Sequence, residues 1–448
     1  MAKYNIDIEK NYKIPNELCV VAFENNILVI APLLANWIVL KSLEQLDILN
    51  FFANGKSIKL ALESSLYDNK DVAFVVTQIE ARGLCNNKIH RSSDKERAMH
   101  LFLTNKCNLR CPHCYMYSGT ENRDELSTEE ILKLLEEYKT IANGKILTLS
   151  GGEPSVHADF DLIVKEASNL GLQVKLLTNG TLMNDKRIKS LACYLSSVQI
   201  SIDGYSEESN AIIRGAGHFE KSLKAVDRLL DYGIETSIAV TPSLDLLRTH
   251  STDYVYFAKE LVNKYKDKPF VVKFAEGLSS GRNIKPSEKM NVEYAAIVKN
   301  IQRAIYGTQY ELMTFVENIK SNVILDNCMF GIISVASNGD VFFCPEIGSL
   351  QSVANIRTTP FSEIYNKSKK AEDATKISKL KPCNQCELLY ICGGGCRIKE
   401  FPQLAKQTSF ENIDYRAIQR LNCSRALKEK FYRLMIESNE YLYTPIGK

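Results

Sequence analysis

The sequence predicts an α/β fold: a parallel sheet built from strand–helix units, with a small domain ahead of it and a cysteine-rich domain behind. Three observations predict it. Between residues 96 and 275, short β-branched runs alternate with helical patterns. All but Cys19, Cys85 and Cys193 of the 13 cysteines fall into two spaced groups, at 107–114 and 328–423. Ahead of both groups, the first 95 residues hold a hairpin pattern and three helical patterns.

The totals set the frame. A chain of 448 residues holds two to four domains at about 100–200 residues each. The 56 basic and 53 acidic residues leave a net charge of +3, so nothing electrostatic argues for nucleic acid. No apolar run reaches the ~18 residues of a membrane helix, and the N-terminus lacks a basic segment followed by an apolar core. These features predict a cytoplasmic protein with reduced thiols and no membrane partner. Cys19, Cys85 and Cys193 stand singly in apolar surroundings and read as core thiols.

Residues 1–95 are expected to form a winged-helix-like domain. Two apolar runs, 19–23 and 26–31, flank the polar Glu24-Asn25 and read as a hairpin. Helices are expected over 34–49, 57–64 and 71–82, the last ended by Gly83. DNA binding is disfavoured because the third helix offers a single arginine. The order of elements is similar to the leader-binding domains of peptide-maturation enzymes. That resemblance implies a leader peptide held as an added β-strand on the hairpin edge.

Residues 96–280 carry the alternation. An apolar run at 100–104 reads as the first strand. Ser127-Thr-Glu-Glu130 is a capping box opening a helix to about residue 141. Strands follow at 146–150, 173–177, 197–202, 235–240 and 270–274, and helices at 160–170, 220–232 and 254–265. Such alternation argues for a parallel sheet with right-handed crossovers. Ligands then bind at the carboxyl ends of the strands, where Gly151-Gly152-Glu153-Pro154, Thr178-Asn179-Gly180 and Ser201-Ile-Asp203-Gly204 fall.

Chemistry concentrates in Cys107-Asn-Leu-Arg-Cys111-Pro-His-Cys114-Tyr115. Three thiolates can hold three irons of a four-iron cubane, leaving the fourth for another ligand. A zinc knuckle is the rival, but zinc wants four ligands in a closed structural site, and His113, wedged between two cysteines, cannot easily complete a tetrahedron. A disulfide framework does not suit an odd count in an intracellular chain. Soft thiolates in this spacing favour an iron–sulfur cluster.

Cys-x3-Cys-x2-Cys after a first strand, followed by an aromatic, resembles the signature of the radical S-adenosylmethionine (radical SAM) superfamily. The resemblance implies a partial (β/α)6 barrel, and a (4Fe–4S) cluster on Cys107, Cys111 and Cys114 whose open iron chelates S-adenosylmethionine. It also implies reductive cleavage to a 5′-deoxyadenosyl radical, with electrons from a low-potential donor such as a flavodoxin or ferredoxin. Gly151 and Gly152 would let backbone approach the cofactor, with Glu153 and exposed backbone carbonyls accepting from its ammonium group. Ser201 and Asp203 would meet the ribose, and Arg214 would pair with the methionine carboxylate. Tyr115 and Asn179 are lesser candidates, for the adenine and the cofactor's polar groups.

A bridging region is expected over 281–325, with a helix at about 291–306. In residues 326–448, Cys328 and Cys344 flank a hairpin pattern turning at Asn338-Gly339. Cys383, Cys386, Cys392 and Cys396 then follow closely, and Cys423 comes last. A zinc ribbon over 383–396 would leave the other three cysteines unexplained. The seven resemble the SPASM extension of radical SAM maturases, which implies two auxiliary (4Fe–4S) clusters. Carried over, that pattern assigns Cys383, Cys386, Cys392 and Cys423 to one, and Cys328, Cys344 and Cys396 to the other. The second set is one thiolate short. Its spare iron would take a substrate thiolate or a non-cysteine ligand.

The resulting expectation is an enzyme modifying a ribosomally made precursor peptide, by a thioether between cysteine sulfur and carbon as in sactipeptide and ranthipeptide maturation. Carbon–carbon crosslinking, epimerisation and formylglycine-type sulfatase maturation are the rivals within the scaffold. An iron–sulfur electron-transfer or regulatory protein is the rival outside it.

Overall fold

In the computed structural model, residues 6–86, 89–91, 97–120, 124–319 and 322–441 are described. The boundary predicted at residues 95 and 96 lies outside them.

The hairpin forms as predicted: β1 (Cys19–Phe23) pairs antiparallel with β2 (Asn26–Ala31). The helix expected over 34–49 does not. Residues Asn36–Leu40 are instead a third strand, β3, antiparallel to β2, and helix α1 (Leu43–Ala53) starts only after Ser42, whose side chain accepts from Gln45 N. An aromatic and branched run, Trp37-Ile-Val-Leu, fits a pleated surface better than a helix. Helices α2 (Ile58–Glu63) and α3 (Asn69–Arg82) complete the unit, α3 ending at Gly83 in the left-handed region.

Strand β3 and most of β2 are buried on both faces of this sheet. Val29, Ile38 and Leu40 pack against α1–α3. Leu28, Ile30, Trp37 and Val39 pack against residues from the far end of the chain, among them Phe315, Ile391, Tyr432 and Met435.

A short strand β4 (His90–Arg91) precedes the main sheet. Six strands then run parallel in sequential order: β5 (Ala98–Phe102), β6 (Ile146–Ser150), β7 (Gln173–Thr178), β8 (Leu195–Ser201), β9 (Glu235–Val240) and β10 (Phe270–Phe274). Between them lie α4 (Thr128–Ala142), α5 (Phe160–Asn169), α6 (Asp185–Leu191), α7 (Glu207–Arg214), α8 (His218–Asp231) and α9 (Leu244–Lys264). The capping box predicted at Ser127 and Glu130 is made in both directions. Helix α9 starts ten residues before the expected 254 and deviates from helical geometry at His250. Leu147, Leu149, Val174, Leu176, Val198, Ile200, Ile238 and Val240 point to the helices and form the main core.

Helices α10 (Glu288–Tyr306) and α11 (Tyr310–Asn318) and strand β11 (Val323–Ile324), which pairs with β4, lead to the cysteine-rich region. The hairpin expected there is β12 (Ile333–Val335) and β13 (Asp340–Phe342), followed by β14 (Ala354–Asn355). It does not stand apart: β12 pairs parallel with β5, so the main sheet has nine strands. Helix α12 (Phe361–Ala374) comes next. Three single-turn helices, α13 (Leu389–Cys392), α14 (Arg397–Glu400) and α15 (Pro402–Ala405), surround the later cysteines, and α16 (Arg425–Tyr441) follows.

Candidate functional site

The chain leaves β5 into the first cysteine loop at the carboxyl end of the sheet. The loop is fastened at its base, where Thr104 Oγ1 and Asn105 N donate to Glu125 at 2.7 Å each. Cys107 N donates to Gly119 O and Gly119 N to Asn105 O. A tight turn brings Cys114 N to Cys111 O at 3.3 Å. The three thiols share one neighbourhood: burial pushes Cys107 up to about 11, with Cys111 and Cys114 adding to the effect. Leu109 N donates to Cys107 Sγ at 3.4 Å.

Gly151 and Gly152 press against this loop. Gly152 N donates to Thr104 O and Glu153 N to Lys106 O, at 2.7 and 2.9 Å. A Cβ on Gly151 would lie 2.4 Å from Thr104 O, and one on Gly152 2.3 Å from Lys106 O. The absence of side chains here serves contact between two backbones, a reason distinct from the ligand approach expected of them. Glu153 is fully buried, and its carboxylate accepts from Ser155 N (3.1 Å), Ser155 Oγ, Thr178 Oγ1 (2.6 Å) and Asn179 N (2.7 Å). Four donors fill about as many acceptor positions as a carboxylate has. The side chain ties the end of β6 to the end of β7, and acceptors for a ligand's ammonium group at this turn are left to backbone carbonyls.

Asn179 is pinned likewise, donating from Nδ2 to Asn108 Oδ1 at 2.8 Å and accepting from Thr181. Its carbonyl accepts from Ser222 Oγ. Ser201, half-buried, closes β8.

Asp203 is fully buried. Its Oδ2 accepts from Arg214 Nε at 2.6 Å and lies 3.3 Å from His113 Nε2, while Oδ1 accepts from Thr241 N at 2.7 Å. A buried carboxylate needs such company. Asp203 and Arg214, expected to meet ribose and carboxylate separately, therefore satisfy each other, and Arg214 sits in the last turn of α7. His113 joins them from inside the cysteine loop; burial pulls its pKa down, against the opposing pull of Asp203. Arg214 also opposes the burial that raises Cys111.

A relay continues behind them. Asn210 Oδ1 accepts from the N–H groups of Asp203 and Gly204, Asn210 Nδ2 meets His218 Nδ1 at 2.9 Å, and His218 Nε2 meets Ser222 Oγ at 3.2 Å.

Tyr115 is half-buried, and its hydroxyl is pushed up by desolvation first, then by Glu346, Cys114 and Cys344. It stands between the first cysteine group and the second, a placement not foreseen for an adenine contact.

The seven later cysteines divide into two sets. Cys344 is pushed up to about 12 by burial, with Cys328 and Cys396 adding, and Arg397 N donates to Cys328 Sγ at 3.4 Å. Cys383, Cys386, Cys392 and Cys423 line one cavity of about 250 Å³. Gly393, Gly394 and Gly395 are all left-handed, which turns the chain between Cys392 and Cys396. The buried Arg397 guanidinium donates to the carbonyls of Thr375, Gly393, Gly395 and Asp326, binding that turn to the Cys328 segment.

Among the described residues, no three or more His, Cys, Asp or Glu side chains are arranged to hold a single metal ion. Four thiols ringing a cavity, and three thiols sharing a neighbourhood, are donor sets that fit polynuclear iron–sulfur clusters. Among the same residues no helix is long and apolar enough to cross a membrane.

Residues 101–253 match the radical SAM superfamily and residues 327–387 match SPASM, an iron–sulfur cluster-binding domain. The chain is 26% identical over 311 residues to mycofactocin maturase MftC of Mycobacterium ulcerans, covering 67% of this chain and 82% of that one. It is 28% identical over 325 residues to the AdoMet-dependent heme synthase of Methanosarcina barkeri, covering 67% and 90%. The solved structure of native anSMEcpe with bound AdoMet superposes with a TM-score of 0.56 at 20% identity, covering 77% of this chain and 99% of that one.

Proposed function

We propose that this chain, which carries a radical SAM domain and an iron–sulfur SPASM domain, is an enzyme that installs a crosslink in a precursor peptide, a cysteine sulfur-to-carbon thioether. When bound, S-adenosylmethionine on the first cluster supplies the 5′-deoxyadenosyl radical that takes a hydrogen atom from a substrate carbon. Cys107, Cys111 and Cys114 would hold that cluster, and Ser201 and the backbone at Gly151–Glu153 would meet the cofactor. The Asp203–Arg214–His113 ion cluster would keep the loop rigid around it. Electrons would come from a flavodoxin- or ferredoxin-like donor.

The observation that carries the thioether reading is the count of thiols in the two later sets: Cys328, Cys344 and Cys396 make three where the other set has four. Three leaves a coordination position for a substrate cysteine. The relative named a mycofactocin maturase supports a maturation reaction.

The peptide's leader would add to the outer edge of β1. Among the described residues, β1 backbone pairs only with β2, and Val20 is 52% exposed. The opposite edge is taken: Val39 N donates to Gln78 Oε1, Trp37 N to Asn36 Oδ1, and every β3 side chain is buried.

The test is mass spectrometry of a cysteine-containing candidate precursor peptide, sought among short open reading frames beside the gene, after anaerobic incubation with enzyme, reductant and S-adenosylmethionine. The expected product is two hydrogens lighter with one fewer alkylatable thiol, and prior alkylation of the peptide blocks its formation. The same mass loss with every thiol free would replace the thioether by a carbon–carbon bond, and an unchanged mass with inverted stereocentres would replace it by epimerisation.

A further inference from the structure

We propose that Arg420 is a positioning residue for the cluster held by Cys383, Cys386, Cys392 and Cys423, and that its guanidinium raises that cluster's reduction potential. The proposal rests on the iron–sulfur reading of this cavity and is independent of the substrate.

Arg420 Nη1 donates to Cys392 Sγ at 3.4 Å and lies 3.9 Å from Cys383 Sγ. Its Nε donates to Glu400 Oε2 at 3.1 Å, and its side chain is only 6% exposed. The carboxylate thus fixes one side of the planar fork while the other spans two sulfurs. Arg420 N also donates to Lys381 O, and Leu421 N to Glu400 O, so the backbone on either side of the arginine is fastened as well.

Among the described residues, no other side-chain cation makes such a contact at either later set. Lys428 lines the same cavity, but its ammonium is held by the Glu387 carboxylate at 2.9 Å. Arg397 spends its guanidinium on four backbone carbonyls and reaches Cys328 only through its backbone N–H. Among the described residues, Arg420 is the side-chain cation hydrogen-bonded to the later thiols.

The physical consequence has a fixed sign. A cluster gains negative charge when reduced, and a buried cation donating hydrogen bonds to its sulfurs stabilises the reduced form more than the oxidised one. Burial keeps that interaction from being screened. A neutral residue at 420 therefore lowers the potential. A lysine, with a point charge in place of a fork, cannot span both sulfurs and lowers it less.

The experiment uses the full chain with Cys107, Cys111 and Cys114 replaced by alanine, so that only the auxiliary clusters are present. Iron is counted, and reduction is followed by electron paramagnetic resonance at defined potentials. With R420Q, iron per chain is expected to stay at the parent value. At a fixed poise the reduced-to-oxidised ratio of one of the two clusters is expected to fall at least tenfold, which for one electron corresponds to about 59 mV. With R420K the fall is about threefold. Full iron with an unchanged ratio in R420Q overturns the proposal. If R420Q holds less iron, R420K decides: full iron with a lowered ratio supports it, and full iron with the parent ratio overturns it. A parent protein that takes up no iron at this cavity would instead refute the iron–sulfur reading beneath it.

Discussion

Asp203 shows how much one buried side chain holds in place. It is the common partner of Arg214 on α7, His113 in the cysteine loop and the backbone at Thr241. Replacing it by asparagine leaves the buried Arg214 guanidinium facing a neutral amide, and losing one partner of a buried pair costs about 3–5 kcal/mol. Asp203→Asn should lower the unfolding free energy of the apoprotein in urea accordingly; a value within about 0.5 kcal/mol of the parent, the range of an ordinary surface substitution, would show that the carboxylate is not what binds these elements. Two histidines make a prediction about pH. Burial holds both His100 and His218 at about 4, whereas an unfolded histidine titrates at about 6.5. Between those values the unfolded chain binds more protons, so stability is fully present above about 6.5 and is lost as pH falls toward 4, by at most about 3 kcal/mol per histidine. Denaturation from pH 7 to 4 should show that slope, and His218→Gln should flatten it. The residue types at the first loop were readable from spacing, but the pairing of Asp203 with Arg214 was not, since nothing local distinguishes a carboxylate that meets a ligand from one that meets an arginine eleven residues on.

At the scale of elements, the strand ends are built by backbone meeting backbone. The turn after β6 fits under the cysteine loop because positions 151 and 152 carry no Cβ. Gly152→Ala must push apart two backbones that touch, with no flexible side chain to yield. Iron bound at the first site should fall by most of a cluster per chain while the later clusters remain, as counted by iron analysis and electron paramagnetic resonance. Gly217→Ala is the control, since open space surrounds that position and only its left-handed φ of 75° resists. The strand–helix alternation was legible because each period is a local property of a few residues, and β9 and β10 fall where periodicity puts them. Strand β3 was misread as helix. Its apolar residues have no polar alternation because both faces of the sheet are covered, and a continuous apolar run does not by itself separate strand from buried helix.

At the scale of the whole molecule, the two ends of the chain are joined. Trp37 donates from Nε1 to Met435 O at 3.1 Å, stacks under Arg82 at 3.8 Å and packs on Phe315. Trp37→Ala should cost about 3–5 kcal/mol and raise hydrogen exchange in α16 together with β1–β3, while β6–β9 keep their protection. Exchange rising in α1–α3 alone would mean that the ends are held by something else.

What the sequence by itself determined is chemistry and class. Two spaced sets of thiolates demand clusters, and alternating strands and helices demand a parallel sheet, because thiolate spacing and hydrophobic period are both written in neighbouring residues. Only the tertiary structure decided that β12 extends the main sheet beside β5, that Tyr115 stands between the cysteine groups, and that Arg420 reaches back to Cys392 and Cys383. Those contacts join residues tens to hundreds of positions apart. Their geometry depends on how packed elements bring side chains to one place, and no local pattern records it.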